Sequence, residues 1–149
     1  KKSKFMPSDM LIDSSLFYEG FFDGCCKGNP GQAGIGYIIN NASSQKLTMR
    51  SEYIGNRTNN QAEMLALILL LGDAYCNGIK NLNVYGDSSL VIRAMSNLCQ
   101  ISSPYLVFYF ATARTLQNKF TAITFNHINR TLNYQADALA NKSCSKSSL

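Results

Sequence analysis

Nine acidic residues are few for a chain of 149, so where they fall is informative. Asp23 closes the aromatic run Leu16–Phe22, and Asp87 follows the apolar stretch Leu82–Tyr85 and Gly86. Glu63 falls in the first turn of a helical pattern, and Asp137 in the first turn or two of a second one. Each has hydrophobic neighbours: Phe21 and Phe22, Ala62 and Leu65, Val84 and Tyr85, Ala136 and Leu139. Four carboxylates drawn together repel one another, and their pKa values rise. Such a quartet makes sense when cations sit between its members. Hard divalent ions with a preference for oxygen fit best, Mg²⁺ above all. Two Mg²⁺ ions would balance four carboxylates. With the four acids set aside, 14 Lys and Arg face five acids over the rest of the chain. A metal-neutralised pocket on a basic body suits phosphodiester chemistry on a nucleic acid.

Taken singly, each of these residues also fits a plainer role. An Asp at a strand end commonly closes a turn, and a Glu in a first helical turn answers the helix dipole. The remaining chemistry-bearing residues exclude several classes. His127 is the lone histidine and no C-x-x-C spacing occurs, so a Cys/His zinc site has no ligand set. No G-x-S-x-G elbow accompanies His127, which removes the usual serine hydrolase. The five cysteines, Cys25, Cys26, Cys76, Cys99 and Cys144, are odd in number and unpatterned. They read as reduced thiols of an intracellular protein, cytoplasmic or nuclear, and Cys25–Cys26 as packed strand-end residues.

The elements that must position the acids follow from periodicity. The chain is 46% hydrophobic and 15% charged with a net charge of +5, enough for one buried core. Residues 1–15 read as a polar linker or ragged end, 16–145 as the domain, and 146–149 as a flexible tail. Strands are expected over Leu16–Phe22, Ala33–Ile39 and Lys46–Ile54, the last with Leu47, Met49 and Tyr53 on one side. The turn Gly28-Asn29-Pro30-Gly31 joins the first two. Ala62, Leu65, Ala66 and Leu69 then recur at helical spacing, with Thr58 or Asn59 as N-cap and Asn77-Gly78 as stop. A fourth strand spans Leu82–Tyr85, and Ser88 caps a helix to about Leu98. Pro104 opens a third helix to about Gln117. A fifth strand spans Phe120–Phe125, and a last helix runs from Asn133 to about Cys144. The aromatic cluster Tyr105, Phe108, Tyr109 and Phe110 reads as core packing, with a base-stacking platform as the alternative. Strands one and four become parallel neighbours where the strand order reverses, the crevice in which open α/β sheets place their sites. No apolar run approaches the roughly 18 residues of a membrane span.

Four ordered motifs resemble the type 1 ribonuclease H family. They are Phe22-Asp23-Gly24-Cys25-Cys26-Lys27-Gly28-Asn29-Pro30-Gly31 with Gly34-Ile35-Gly36, then Thr58-Asn59-Asn60-Gln61-Ala62-Glu63, then Gly86-Asp87-Ser88, and finally His127 with Asn133-Tyr134-Gln135-Ala136-Asp137-Ala138-Leu139-Ala140. The last is most similar to the plant-type, reverse-transcriptase-like branch. The resemblance implies an α/β ribonuclease H-like fold: a five-stranded mixed sheet of order 3-2-1-4-5 with helices on both faces. It implies an endonuclease that cuts the RNA strand of RNA–DNA hybrids with two Mg²⁺ ions, Mn²⁺ being a substitute. Asp23, Glu63, Asp87 and Asp137 fall on its metal-binding acids, with His127 assisting catalysis. Gly24, Cys25, Cys26, Asn29, Thr58, Asn59, Asn60 and Ser89 fall on its substrate-binding positions. It implies no membrane and no small-molecule cofactor, and a monomeric domain that can be attached to others. A silent nucleic-acid-binding domain of a larger protein or retroelement is the rival. Ser89 stands where some relatives have Gln, and Asn56 where Arg can hold a phosphate, with Arg57 beside it. The uncharged segment Ile101–Phe110 lacks the basic handle of other members, a deficit that the Lys1, Lys2 and Lys4 end could offset.

Overall fold

The computed structural model describes residues 12–145. Its element order is β1 (Phe17–Gly28), β2 (Gly31–Asn40), β3 (Lys46–Arg57), α1 (Asn59–Cys76), β4 (Asn81–Gly86), α2 (Ser89–Met95), α3 (Val107–Gln117), β5 (Ala122–His127) and α4 (Tyr134–Ser143), with a 3₁₀ turn at Arg130–Asn133 before α4. The five strands form one sheet in the order β3-β2-β1-β4-β5. β1–β2 and β2–β3 are antiparallel, while β1–β4 and β4–β5 are parallel. The sheet order and the strand reversal between β1 and β4 are those expected from the sequence.

One face of the sheet is closed by α1. Leu67, Leu70 and Leu71 of that helix are fully buried with Phe22, Ile35, Tyr37, Ile39, Leu82 and Val84 of the strands. Burial of each such side chain stabilises by about 1.5–3 kcal/mol, so the helix has one seat. Its start is fixed as firmly: the Thr58 hydroxyl accepts from the Gln61 N–H at 3.1 Å, and the Thr58 N–H donates to Gln61 Oε1 at 2.9 Å. Asn77 and Gly78, the latter at φ +87°, end it. The other face takes α4, which lies directly on β2. A Cβ on Gly36 would sit 2.5 Å from the Ala136 carbonyl oxygen and the Ala140 nitrogen, so only glycine admits the helix there.

Several boundaries differ from the sequence expectation. β1 does not end at Asp23: it continues to Gly28, paired residue by residue with β2 through Asp23↔Gly36 to Gly28↔Gly31. Asp23-Gly24 has the look of a strand exit, but cross-strand hydrogen bonds carry the chain on to the Asn29-Pro30 hairpin. Glu63 is the fifth residue of α1 and stands in its second turn, not its first. Pro104 sits in a turn ahead of α3, which begins at Val107, and α2 stops at Met95 rather than Leu98. Met49 is 52% exposed instead of packing with Leu47, because α4 covers less of β3 than of β2. Tyr105 and Phe108 are exposed and leave the core to Tyr109 and Phe110. Ile12 packs against the core, and Asn81 Nδ2 donates to the Ser14 carbonyl at 3.2 Å. Lys1, Lys2, Lys4 and the tail at 146–149 lie outside the described residues. Among the described residues no helix is long and apolar enough to cross a membrane.

Candidate active site

The four acids arrive from four different elements. Asp23 is on β1, one residue past the end of its parallel pairing with β4 at Phe22↔Gly86. Asp87 directly follows β4, Glu63 is on α1, and Asp137 is in the first turn of α4. The close approach that unites β1 with α1 is made at Gly24, where a Cβ would lie 2.5 Å from the backbone of Ala62 and Glu63. Asp23, Glu63 and Asp87 each bring a carboxylate oxygen within 4.8 Å of the others. Asp137 lines the same cavity, near enough for its charge to bear on Asp23. Together they line a cavity of about 310 Å³ with Gly24, Cys25, Cys26, Asn59, Ser88, Arg130 and Asn141.

Among the described residues that line the cavity, four carboxylates face a single cation, Arg130. Asp23 is 4% exposed and Glu63 5% exposed. Burial pushes the Asp23 carboxyl up to about 8, and the neighbouring charges of Asp87 and Asp137 add to it. Burial likewise holds Glu63 well above the usual carboxylate range, with Asp23 and Asp87 contributing. Glu63 Oε1 is cut off from solvent and has no hydrogen-bond partner. A buried carboxylate oxygen left without a donor, beside two more carboxylates, is what a hard divalent cation would complete. The donor set therefore fits a metal.

Two neighbours hold the acids in place. Asn133, almost fully buried, donates from Nδ2 to the Phe22 carbonyl at 2.9 Å and to Asp87 Oδ2 at 3.2 Å. Arg130 Nη2 lies 3.3 Å from Asp137 Oδ1. Neither was given a role from the sequence, although Asn133 opens the last of the four motifs. Ser88 was read as a helix cap, which it is, accepting from the Val91 N–H at 3.3 Å; it also lines the cavity.

Of the residues expected to contact substrate, Gly24, Cys25, Cys26 and Asn59 line the cavity. Asn29 stands behind Asn59, its Oδ1 accepting from the Asn59 N–H at 2.8 Å. Thr58 caps α1, Asn60 is exposed beside it, and Ser89 is exposed at the start of α2. His127 ends β5 opposite Gly86, exposed and outside the cavity lining. Cys25 and Cys26 lie within β1, not at its end, with their Sγ atoms directed to Asn141 Oδ1 at 3.0 Å and the Arg57 carbonyl at 3.0 Å.

This topology, with acids gathered where the sheet order reverses, agrees with the comparisons. The reverse transcriptase-like family model matches residues 21–143, and the chain belongs to that family. Its ribonuclease H relatives make it a member of the type 1 ribonuclease H group. Ribonuclease HI of Halobacterium salinarum is 35% identical over 122 residues, which cover 82% of this chain and 61% of that one. A bifunctional protein of Mycobacterium tuberculosis is 38% identical over 120 residues, 80% of this chain and 33% of that one. Its N-terminal RNase H domain superposes with a TM-score of 0.84 at 34% identity, covering 87% of this chain and 94% of the solved chain. LC11-RNase H1, solved with an RNA/DNA hybrid, superposes with a TM-score of 0.81 at 35% identity, covering 87% and 98%. The chain spans 61% and 33% of the lengths of the two full-length relatives.

Proposed function

We propose that this chain is an endoribonuclease that cleaves the RNA strand of RNA–DNA hybrids, leaving 5′-phosphate and 3′-hydroxyl ends. The observation that carries the reading is the meeting of Asp23, Glu63 and Asp87 within 4.8 Å, in a cavity that Asp137 also lines. The similarity to LC11-RNase H1 in its hybrid complex and to a ribonuclease HI supports the choice of substrate.

Asp23, Glu63, Asp87 and Asp137 would hold two Mg²⁺ ions, for which Mn²⁺ would be a substitute. Bound there, the ions supply Lewis acidity that eases deprotonation of water and neutralises charge on the leaving oxygen. The chain supplies the rest. Asn133 fixes the Asp87 carboxylate, and the basic Arg130 stands at the cavity wall where a phosphate enters. His127, one residue from the cavity in register with Gly86, exchanges protons with solvent as product leaves.

Distinguishing RNA from DNA along a backbone needs contact with the 2′-hydroxyl. Backbone groups of Gly24 to Cys26 line the cavity for that purpose. Asn29, bonded to the Asn59 backbone, and the exposed Asn59 and Asn60 offer side-chain amides that can donate and accept without fixing a base sequence. Thr58 takes a DNA phosphate, and Ser89 makes a short or water-mediated groove contact. The domain acts as a monomer and can work within a longer chain. Its thiols and its substrate suit an intracellular compartment.

The test is hydrolysis of labelled RNA–DNA hybrid, double-stranded RNA, single-stranded RNA and DNA duplex, each with Mg²⁺ and with EDTA. Cleavage of the RNA in hybrid alone, abolished by EDTA, is expected. Binding of hybrid without cleavage in any metal would instead make this a silent binding domain.

A further inference from the structure

Tyr105 and Phe108 are 72% and 79% exposed, more than any other aromatic residue among those described. Tyr105 stands in the turn just ahead of α3, and Phe108 is the second residue of that helix. An aromatic ring left in water forgoes the gain of burial, which an occupant of the surface would recover.

The surrounding structure names the occupant. Gln61 Nε2 donates to the Tyr105 carbonyl at 3.2 Å, and the same side chain completes the N-cap of α1. The backbone of the turn that carries Tyr105 is therefore tied to the helix start that also carries Asn59, a residue of the acidic cavity. Beside them runs a groove of about 280 Å³ lined by Arg57, Leu65, Ile68, Phe108, Tyr109 and Thr112. It holds one cation and no acid. The Arg57 carbonyl accepts from Cys26, which lines the acidic cavity as well. Groove and cavity are thus adjoining parts of one surface. Residues Ile101–Phe110 carry no charge, so this end has little hold on phosphates and offers aromatic faces instead. Base faces inside a duplex are already stacked; only an unpaired base has a face to give.

We propose that Tyr105 and Phe108 form a stacking platform for unpaired bases of a strand continuing out of the hybrid past the start of α1, making hybrids with a single-stranded extension the preferred substrates. The inference rests on the proposed hybrid-cleaving function.

Two measurements test it. The first compares kcat/KM for a blunt hybrid, the same hybrid with a short DNA extension, and one whose extension is abasic. The second is fluorescence anisotropy of the extended and blunt hybrids and of the single-stranded extension alone. Each is made on the wild type, on Tyr105→Ala/Phe108→Ala and on Tyr105→Phe/Phe108→Trp. A base-bearing extension should raise kcat/KM and affinity by about tenfold in the wild type. The abasic extension should give no gain, the double alanine variant should lose the gain while cleaving blunt hybrid normally, and the aromatic variant should keep it. The proposal is overturned if the abasic extension works equally well, or if the alanine variant retains the preference. It is also overturned if that variant slows blunt-hybrid cleavage as much, which would put the rings against the paired strand. Self-association of the wild type that the alanine variant abolishes would give the platform to a second copy and overturn it too. Absence of any hydrolysis would refute the cleavage reading, while anisotropy would still decide the platform.

Discussion

Asn133 ties Asp87, a carboxylate of the acidic cluster, to the strand beside it: one Nδ2 group donates to Asp87 Oδ2 at 3.2 Å and to the Phe22 carbonyl at 2.9 Å. Asp87 follows β4 with no helix or strand of its own, so this amide sets its direction. Asn133→Ala leaves a buried carbonyl without its donor and should cost about 1–3 kcal/mol of stability. It should also lower kcat by about tenfold with little change in KM. Urea denaturation and initial rates measure the two effects separately. A variant with unaltered kcat would show that Asp87 needs no such guide.

Two glycines should respond in opposite directions to the same added methyl group. Gly24→Ala drives a Cβ to 2.5 Å from the α1 backbone at Ala62 and Glu63, where nothing flexible can yield. The variant should be destabilised by about 1–3 kcal/mol and should lose most activity, because β1 and α1 carry Asp23 and Glu63 apart. Gly72, inside α1, has nothing within 4 Å of its added Cβ. Gly72→Ala should stabilise by about 0.5–1 kcal/mol at unchanged activity. Thermal denaturation of both variants checks the pair.

The acidic cluster makes stability depend on pH when metal is absent. Folding raises the Asp23 carboxyl from 3.8 to about 8, and raises Glu63 as well. Between those values the folded chain holds more protons than the unfolded chain, so stability falls as pH rises. In EDTA, Tm should decline from about pH 5 to about pH 8, and Mg²⁺ at the upper pH should restore it by binding the folded state alone. A Tm indifferent to pH in EDTA would mean the carboxyls are not crowded.

Arg130 is three-quarters exposed at the ion pair with Asp137, so the pair itself contributes little. Arg130→Gln should change stability by less than about 1 kcal/mol. If the guanidinium receives a phosphate, KM for hybrid should rise several-fold and the salt dependence of binding should become shallower. Titrations at several salt concentrations read both.

The order of elements was legible because hydrophobic period changes cleanly from strand to helix, and because Thr58, Asn77-Gly78 and Ser88 mark helix ends by their own chemistry. The acid quartet was legible from residue type and from family resemblance together. The extension of β1 past Asp23 was not, since a strand's continuation depends on its partner's backbone, and Asp-Gly alone looks like an exit. Pro104 misled in the same way: it fits a helix start and a turn equally, and the turn was chosen by how Leu106 is buried. The exposure of Tyr105 and Phe108 was hidden because an aromatic cluster at helical spacing usually faces a core. Asn133 acts through Phe22 and Asp87, both distant in sequence, and Arg130 through Asp137 across the turn that opens α4; composition records neither contact.

Asp23→Asn puts the account to its most direct test, because it separates folding from chemistry in one variant. Removing a buried charge that its neighbours repel should leave Tm in EDTA at about pH 8 equal to or above the wild-type value. The same change should lower Mg²⁺-dependent cleavage of hybrid by about a thousandfold, the equivalent of several kcal/mol of transition-state stabilisation. A folded Asp23→Asn chain that cleaves hybrid at the wild-type rate would contradict the assignment of the cluster as a metal-dependent nuclease centre.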